Sequence, residues 1–404
     1  MLTVPQALQA VLSVVTRMPA VRVPLAEALG CVAAEPIACD LDMPPWDKSM
    51  VDGFAVRAAD APGPGARLAV VGQVPAGRMP DCPVGPGQAV KIMTGAPVPP
   101  GADAVVMVEK TRVHSDGGGD AVELAGPLKV GQNIAPCGLD VRAGTVVVPA
   151  GAVLTAARIG AMAAAGAAEP LVFARPRVAV LATGDEIVEV SARPTGAQIR
   201  NSNSHSLAAQ VRTAGCPAEV FPPAPDEAAA FRAAAAEALS RSEVLILSGG
   251  VSMGDYDLVP GVLAEMGVTI RAHKVAVKPG KPFLLGTAPG GKLVFGLPGN
   301  PLSTFVCFEL FVRPALRAMT GHPQPVTPEV SAATLTALPA NGDRQTYLPA
   351  ALVREGGGLR VRKLDGKGSA DLFTLAEADA LIVRPINAPA AAGGDVVPVL
   401  PIPG

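Results

Sequence analysis

Hydrophobic and polar positions change their period several times along this chain, and each change marks a different kind of element. Val4, Leu8, Val11, Leu12 and Val15 recur at helical spacing, so residues 1–17 are expected to form an amphipathic helix. Short alternating segments follow around Val21 to Val23 and Pro36 to Ala38. Residues 55–140 read as β-rich, with strands expected at 67–71 and 104–108 and a hairpin tip at 116–120. Strand character returns over 142–148, and Thr155 is expected to cap a helix of small residues to about 168.

From 176 to 320 strand and helix alternate. Apolar runs at 177–182, 243–247, 283–286 and 293–295 are short enough for buried strands, and 219–221 is expected to add another. Helical patterns cover 201–214, 226–239, 258–266 and 301–319, the last with Asn300 as its N-cap and Pro301 at its first position. This order predicts a doubly wound α/β sheet. Beyond 320 the helical signals stop. Short strands at 330–333, 347–353, 359–361 and 381–383 predict a small C-terminal β domain.

Composition narrows the classes. With 404 residues, 49% of them hydrophobic, the chain is long enough for several ordered domains. Only 17% is charged and the net charge is −2, which argues against a broad electrostatic grip on nucleic acid or an acidic membrane. Neither is expected as a partner. The six cysteines lack a C-x-x-C pair and read as small buried residues in a reducing compartment. The four histidines are too scattered to suggest zinc. No signal-peptide pattern and no membrane-spanning apolar run is evident, so the expected location is cytoplasmic.

Candidate chemistry concentrates where strands end. Ser248-Gly249-Gly250-Val251-Ser252-Met253-Gly254-Asp255-Tyr256-Asp257 is a glycine-rich turn between a strand and a helix. Glycine allows positive φ and close approach of a ligand to the main chain, and a helix start favours an anion such as phosphate. Asp255 and Asp257 beside such an anion suggest a divalent metal, which would offset their repulsion. The structural alternative is an ordinary strand–helix turn with acidic residues at the helix start. Thr183 to Glu186, Lys278 to Lys281 and Pro298 to Pro301 also follow strands. In an α/β sheet all four sets would gather at the carboxyl edge, where ligands bind. Elsewhere, the loop from Asp42 to Ala55 holds the only tryptophan with several charged residues, and reads as a binding surface or a capped turn. Thr94-Gly95 could present a hydroxyl and N–H groups, and Gly366 to Ser369 reads as a surface turn within reach of a neighbouring site.

Taken in order, Pro44 to Ala55, Ile92 to Ala102, Leu181 to Ile187, Gly249 to Asp257, Val277 to Pro282 and Gly296 to Pro301 closely resemble the molybdopterin molybdenumtransferase family, the MoeA type related to the gephyrin E domain. Each motif alone is moderately specific; all six in this order are highly specific, and the resemblance covers nearly the whole chain. It implies a discontinuous elongated domain (1–42 with 141–175), an inserted β-rich domain (43–140), an α/β molybdopterin-binding domain (176–320) and a C-terminal β domain (321–404). It implies that molybdate is inserted into adenylylated molybdopterin with release of AMP, that Mg²⁺ assists, and that the enzyme is a homodimer. The adenylyltransferase of the preceding step is an implied partner.

Carried over position by position, the resemblance assigns catalytic roles to Asp52, Thr94, Asp140, Glu186, Asp226 and Asp257, and ligand binding to Lys274, Lys278, Pro298, Pro301 and Ser369. Gly249, Gly250, Ser252 and Lys281, from the same stretches, complete the expected binding set. The residue chemistry agrees. Lys274, Lys278 and the Gly249-Gly250 turn suit a pyrophosphate; Glu186 and Asp257 suit Mg²⁺; lysines or backbone donors suit molybdate. Asp52 suits either the donor-rich edge of the pterin or a bound water. Leu258 departs from the tyrosine that relatives often carry after the aspartate. Competing readings are a non-catalytic molybdopterin-binding carrier or scaffold, and the preceding adenylyltransferase, which would need neither 43–140 nor 321–404. Tungstate in place of molybdate stays open.

Overall fold

The computed structural model describes residues 1–116, 119–250, 258–355 and 358–403. The chain forms two units: Met1–Glu35 with Ala150–Thr155 and Pro170–Gly404, and Pro36–Pro149 with Ala156–Glu169.

The first unit is built on a six-stranded sheet in the order Ala218–Val220, Val178–Ala182, Val244–Ser248, Lys292–Leu297, Leu284–Ala288, Thr269–His273. The first four strands are parallel, with Val178 opposite Val244 and Val244 opposite Leu293. Leu284–Ala288 runs against both its neighbours, so the doubly wound pattern holds with one reversed strand. Alternate residues enter opposite cores: Val178, Val180, Val244 and Ile246 pack on one face, and Ala179, Leu181, Leu245 and Leu247 on the other. Helices Val4–Ser13, Ser202–Thr213 and Pro301–Cys307 cover the first face; Ala228–Arg241 and Leu258–Glu265 cover the second. A sheet buried on both faces has no polar alternation, which explains the continuous apolar runs. Each such Val or Leu contributes about 1.5–3 kcal/mol through its burial.

Several limits moved from expectation. The first helix spans Val4–Ser13, opened by a reciprocal cap between Thr3 and Gln6, and stops before the β-branched Val14, Val15 and Thr16. The 226–239 helix begins later, at Ala228, because Asp226 is engaged with the end of a neighbouring strand. The 301–319 helix is continuous but changes to π-helical pitch over Phe308–Val312. There Glu309 and Arg313 form a buried ion pair (2.6 Å), fixed to the helix Ser202–Thr213 by Gln210 and Thr213. Breaking a buried pair of this kind costs about 3–5 kcal/mol.

In the same unit the C-terminal strands close on themselves: Gln345–Glu355, Gly358–Lys363, Val330–Thr334, Val396–Pro401 and Ala380–Arg384, which pairs back onto Gln345–Glu355. Closure removes free edges. Val277–Lys278 adds a parallel strand to Gln345–Glu355, so it belongs to this sheet and not to the α/β sheet. A short helix, Leu372–Ala376, interrupts what had read as purely β sequence.

The second unit holds its own six-stranded sheet, Ala104–Met107, Gly53–Val56, Gln88–Ile92, Arg67–Val74, Gly119–Leu124, Thr111–Asp116. Phe54, Val56, Leu68, Val106 and Val122 form the core on it. Among the described residues no helix is long and apolar enough to cross a membrane.

Candidate active site

Three of the four strand-end sets do gather at one edge. Parallel strands Val178–Ala182, Val244–Ser248 and Lys292–Leu297 end together, and their following residues border a cleft of about 430 Å³. Its wall includes Thr183, Glu186, Arg200, Asn203, Ser248, Gly249, Asn300 and Pro301. Gly249 has φ +97, and a Cβ there would lie 2.6 Å from the Thr183 carbonyl oxygen. Only glycine lets the two strand ends approach so closely. Its N–H, expected to face a ligand, instead donates to the Leu297 carbonyl (3.2 Å), because the ladder between these strands continues one residue further. Gly250 also has positive φ (+64). Asn203 ties the edge together, its Nδ2 donating to Ser248 Oγ (2.9 Å) and the Gly299 carbonyl (2.7 Å).

Glu186 lies exposed on this cleft, and its carboxylate has no hydrogen-bond or ion-pair partner among the described residues. Asp226 does not line the cleft. Its Oδ1 accepts from the Thr183 hydroxyl (2.9 Å) and its N–H donates to Asp185 Oδ1 (3.1 Å), so it braces the turn that carries Glu186. Ser252 and Asp257 lie outside the described residues.

Lys278 and Lys281 are elsewhere. Because Val277–Lys278 joins the C-terminal sheet, the loop after it borders a second cleft of about 450 Å³. Lys278, Lys281, Arg344 and Lys363 give this cleft its charge, and Ser369 and Gly366 bring the supposed surface turn onto its wall. Lys363 pairs with Asp365 (2.9 Å); Lys278, Lys281 and Arg344 have no acid partner among the described residues. Asp371 is the acid of this wall. It accepts from the Lys367 N–H (2.8 Å), the Thr374 hydroxyl (2.7 Å) and the Thr374 N–H (3.0 Å), which hold its carboxyl down at about 2. Its oxygens are thus committed to the loop.

The two clefts adjoin at Asn300, which borders both. Contrary to expectation, the Asn300 side chain does not cap its helix; its Nδ2 donates to Ser369 Oγ (2.9 Å). The Leu302 N–H at the helix start is satisfied by the Ser369 carbonyl (3.1 Å). Pro298 is buried, its carbonyl accepting from the Thr304 hydroxyl, and Pro301 opens the helix beside the strand-end cleft. Lys274 borders neither cleft. With φ +66 it ends the strand Thr269–His273, and its main chain bonds to Leu2 and Phe283.

In the second unit Asp52 and Thr94 meet. Asp52 Oδ1 accepts from both the N–H (2.7 Å) and the hydroxyl (2.9 Å) of Thr94, and these bonds hold its carboxyl below the usual range. The groups of Thr94 expected to face a ligand are therefore spent on Asp52. Asp140 is exposed, with its N–H on the Met43 carbonyl (2.9 Å).

Three stretches of the chain match family models in series: the MoeA N-terminal region (domain I and II) over 2–166, a probable molybdopterin binding domain over 179–318, and the MoeA C-terminal region (domain IV) over 331–402. A molybdopterin molybdenumtransferase of Nostoc sp. is 36% identical over 384 residues, covering 93% of this chain and 87% of that protein. The chain belongs to the molybdopterin molybdenumtransferase family. Molybdopterin molybdenumtransferase 2 of Mycobacterium tuberculosis is 38% identical over 346 residues, 83% of this chain and 84% of its own. The crystal structure of the molybdopterin biosynthesis MoeA protein from Pyrococcus horikoshii superposes over the whole of both chains with a TM-score of 0.84 at 30% identity. A crystal structure of a molybdopterin biosynthesis MoeA protein from Pyrococcus horikoshii OT3, again covering the whole of both chains, gives 0.80 at 28%.

Within this family member, sequence reasoning missed Arg200, Asn203, Arg344 and Lys363 as cleft residues. Asn203 lay in view, as the second asparagine of Asn201-Ser202-Asn203 at a helix start, where Asn201 is the cap. Arg344 carries no local signal; only the pairing of Gln345–Glu355 with Val277–Lys278 brings it beside the lysines.

Proposed function

We propose that this protein inserts molybdate into adenylylated molybdopterin and releases AMP, completing the molybdenum cofactor. The observation that carries the reading is the junction of two unlike clefts at Asn300 in a chain of this family. The strand-end cleft suits the adenylate, with a close-packed glycine turn, the Arg200 guanidinium and amide and hydroxyl groups around it. The basic cleft suits the oxyanion. Molybdate accepts hydrogen bonds and carries negative charge, so Lys278, Lys281, Arg344 and the Ser369 hydroxyl are fitting donors. Asp371, the one acid on that wall among the described residues, is held by its own loop. A substrate spanning the junction has its dithiolene at the basic side and its phosphate bond near Glu186.

Magnesium fits the donor set. Mg²⁺ is usually held by one or two carboxylates together with substrate phosphates, not by a cage of protein ligands. Glu186 offers one such carboxylate, while the described residues contain no group of three or more His, Cys, Asp or Glu placed for a metal. Bound by Glu186 and the phosphates, the ion would neutralise charge on the leaving AMP. The chain's own residues bind and orient: Asn203 and Asp226 hold the turns, and Lys278 and Arg344 fix the oxyanion. Asp52 stays ionised and is an acceptor, not an acid, in any contact with the pterin. We further propose a cytoplasmic homodimer that receives its substrate from the adenylyltransferase of the preceding step.

The test is single-turnover AMP release from adenylylated molybdopterin by the purified protein, with and without molybdate and Mg²⁺. Release that depends on both is expected. Tight binding without release would overturn the reading in favour of a carrier.

A further inference from the structure

Ser369 reaches the basic cleft from the C-terminal strands, yet its position is set by the α/β part of the unit. Its carbonyl is held by the Leu302 N–H (3.1 Å), and its hydroxyl oxygen accepts from Asn300 Nδ2 (2.9 Å). A hydroxyl that accepts at its lone pair still carries a proton and must direct it elsewhere. Among the described residues no hydrogen bond leaves this hydroxyl, and Asp371, the nearby acid, accepts three hydrogen bonds from its own loop and none from Ser369. The remaining direction is the basic cleft, whose wall Ser369 forms.

We infer that Asn300 is a positioning residue for the oxyanion: by donating to Ser369 Oγ it turns the serine O–H into the basic cleft as a donor. This rests on the reading of that cleft as the molybdate site. It adds a residue that touches no reacting atom but decides whether the serine donates to ligand or to protein. It also gives the junction between clefts a chemical purpose, since Asn300 lies in the loop that ends the α/β strand Lys292–Leu297. The side chain is dispensable for the helix start, because Thr304 bonds to the Asn300 main-chain carbonyl (3.0 and 3.1 Å).

Molybdate affinity of the full-length protein, measured by calorimetry, tests this with Ser369→Ala, Asn300→Ala, the double variant, Asn300→Asp and Lys278→Ala. Ser369→Ala and Asn300→Ala should each weaken binding roughly 10-fold, the scale of one hydrogen bond to a charged group. In the Ser369→Ala background, Asn300→Ala should add less than about twofold, as expected for residues acting as one. Asn300→Asp, nearly the same shape, should weaken binding at least as much as Asn300→Ala, because the carboxylate captures the serine proton. Additive losses from Ser369→Ala and Asn300→Ala, or unchanged affinity in Asn300→Ala and Asn300→Asp while Ser369→Ala binds weakly, would overturn the inference and leave the cleft assignment standing. Unchanged affinity in both Ser369→Ala and Lys278→Ala would overturn the cleft assignment and the inference together.

Discussion

The two clefts of the first unit are of similar size, about 430 and 450 Å³, yet they are made in opposite ways. The strand-end cleft is shaped largely by main chain. Parallel strands stop in register, a glycine turn lets them close up, and amide side chains such as Asn203 fasten the loops. The basic cleft is shaped by long side chains from segments far apart in sequence: Lys278, Arg344, Lys363 and the 366–371 turn. A main-chain cleft is rigid and selects by shape; a cleft lined by cations selects by charge and tolerates anions of similar size. That difference fits a reaction that must hold one organic nucleotide and one small oxyanion.

The difference can be broken from either side. The largest expected effect is on the main-chain side, where Glu186→Ala should keep the fold and slow AMP release on the order of 100-fold, about 2.7 kcal/mol of transition-state stabilisation. Single-turnover release by the purified variant measures it; unchanged turnover would remove Glu186 from the mechanism. On the charged side, Arg344→Ala should weaken molybdate binding roughly 10-fold, one charge-assisted hydrogen bond, with nucleotide affinity unchanged. Calorimetry with each ligand separates the two, and a loss of nucleotide affinity instead would mean that the clefts are not divided as described.

Smaller effects sharpen the picture. Asp52→Asn keeps an oxygen to accept from Thr94 and removes only the charge, so it should melt only slightly below the parent at pH 7 while turnover falls severalfold. Equal turnover would reduce Asp52 to a loop brace. Asp371 gives the smallest and a pH-dependent effect. Its folded value, about 2, lies below the ordinary 3.8, so its carboxylate contributes stability above about pH 4. That contribution is lost as pH falls from 4 toward 2. Asp371→Asn should therefore melt slightly lower than the parent at pH 7 and equally at pH 2; a gap that persists at pH 2 would point to lost packing.

The same contrast governs what could be read in advance. Strand ends announce themselves: apolar runs followed by Thr183-Gly184-Asp185-Glu186, Ser248-Gly249-Gly250 and Pro298-Gly299-Asn300-Pro301 state both the fold and one wall of the site. Local rules failed where a side chain had two choices. Asn300 had the spacing of a helix cap but turned to Ser369, and Asp226 had the place of a helix start but turned to Thr183, because tertiary partners outbid the local one. Lys278 was legible as a lysine after a strand, but which sheet that strand joins is decided by Gln345–Glu355, some 70 residues on. Arg344 was illegible for the same reason.

The reversed strand Leu284–Ala288 has a consequence for how this protein can be taken apart. Because it runs back beside Thr269–His273, the connection between them is an excursion at the site edge and not a crossover helix. The middle of that excursion is lent to the closed C-terminal sheet, and Tyr347, Leu381, Val383 and Leu400 of that sheet share one apolar core with Phe283, Val306 and Phe311. The boundary between the two matched family regions is therefore a seam in sequence only. A fragment cut at that seam would leave one piece with an orphan strand and the other with a bare apolar wall, so modules of this chain cannot be exchanged between relatives one at a time without also exchanging the residues that face across the seam.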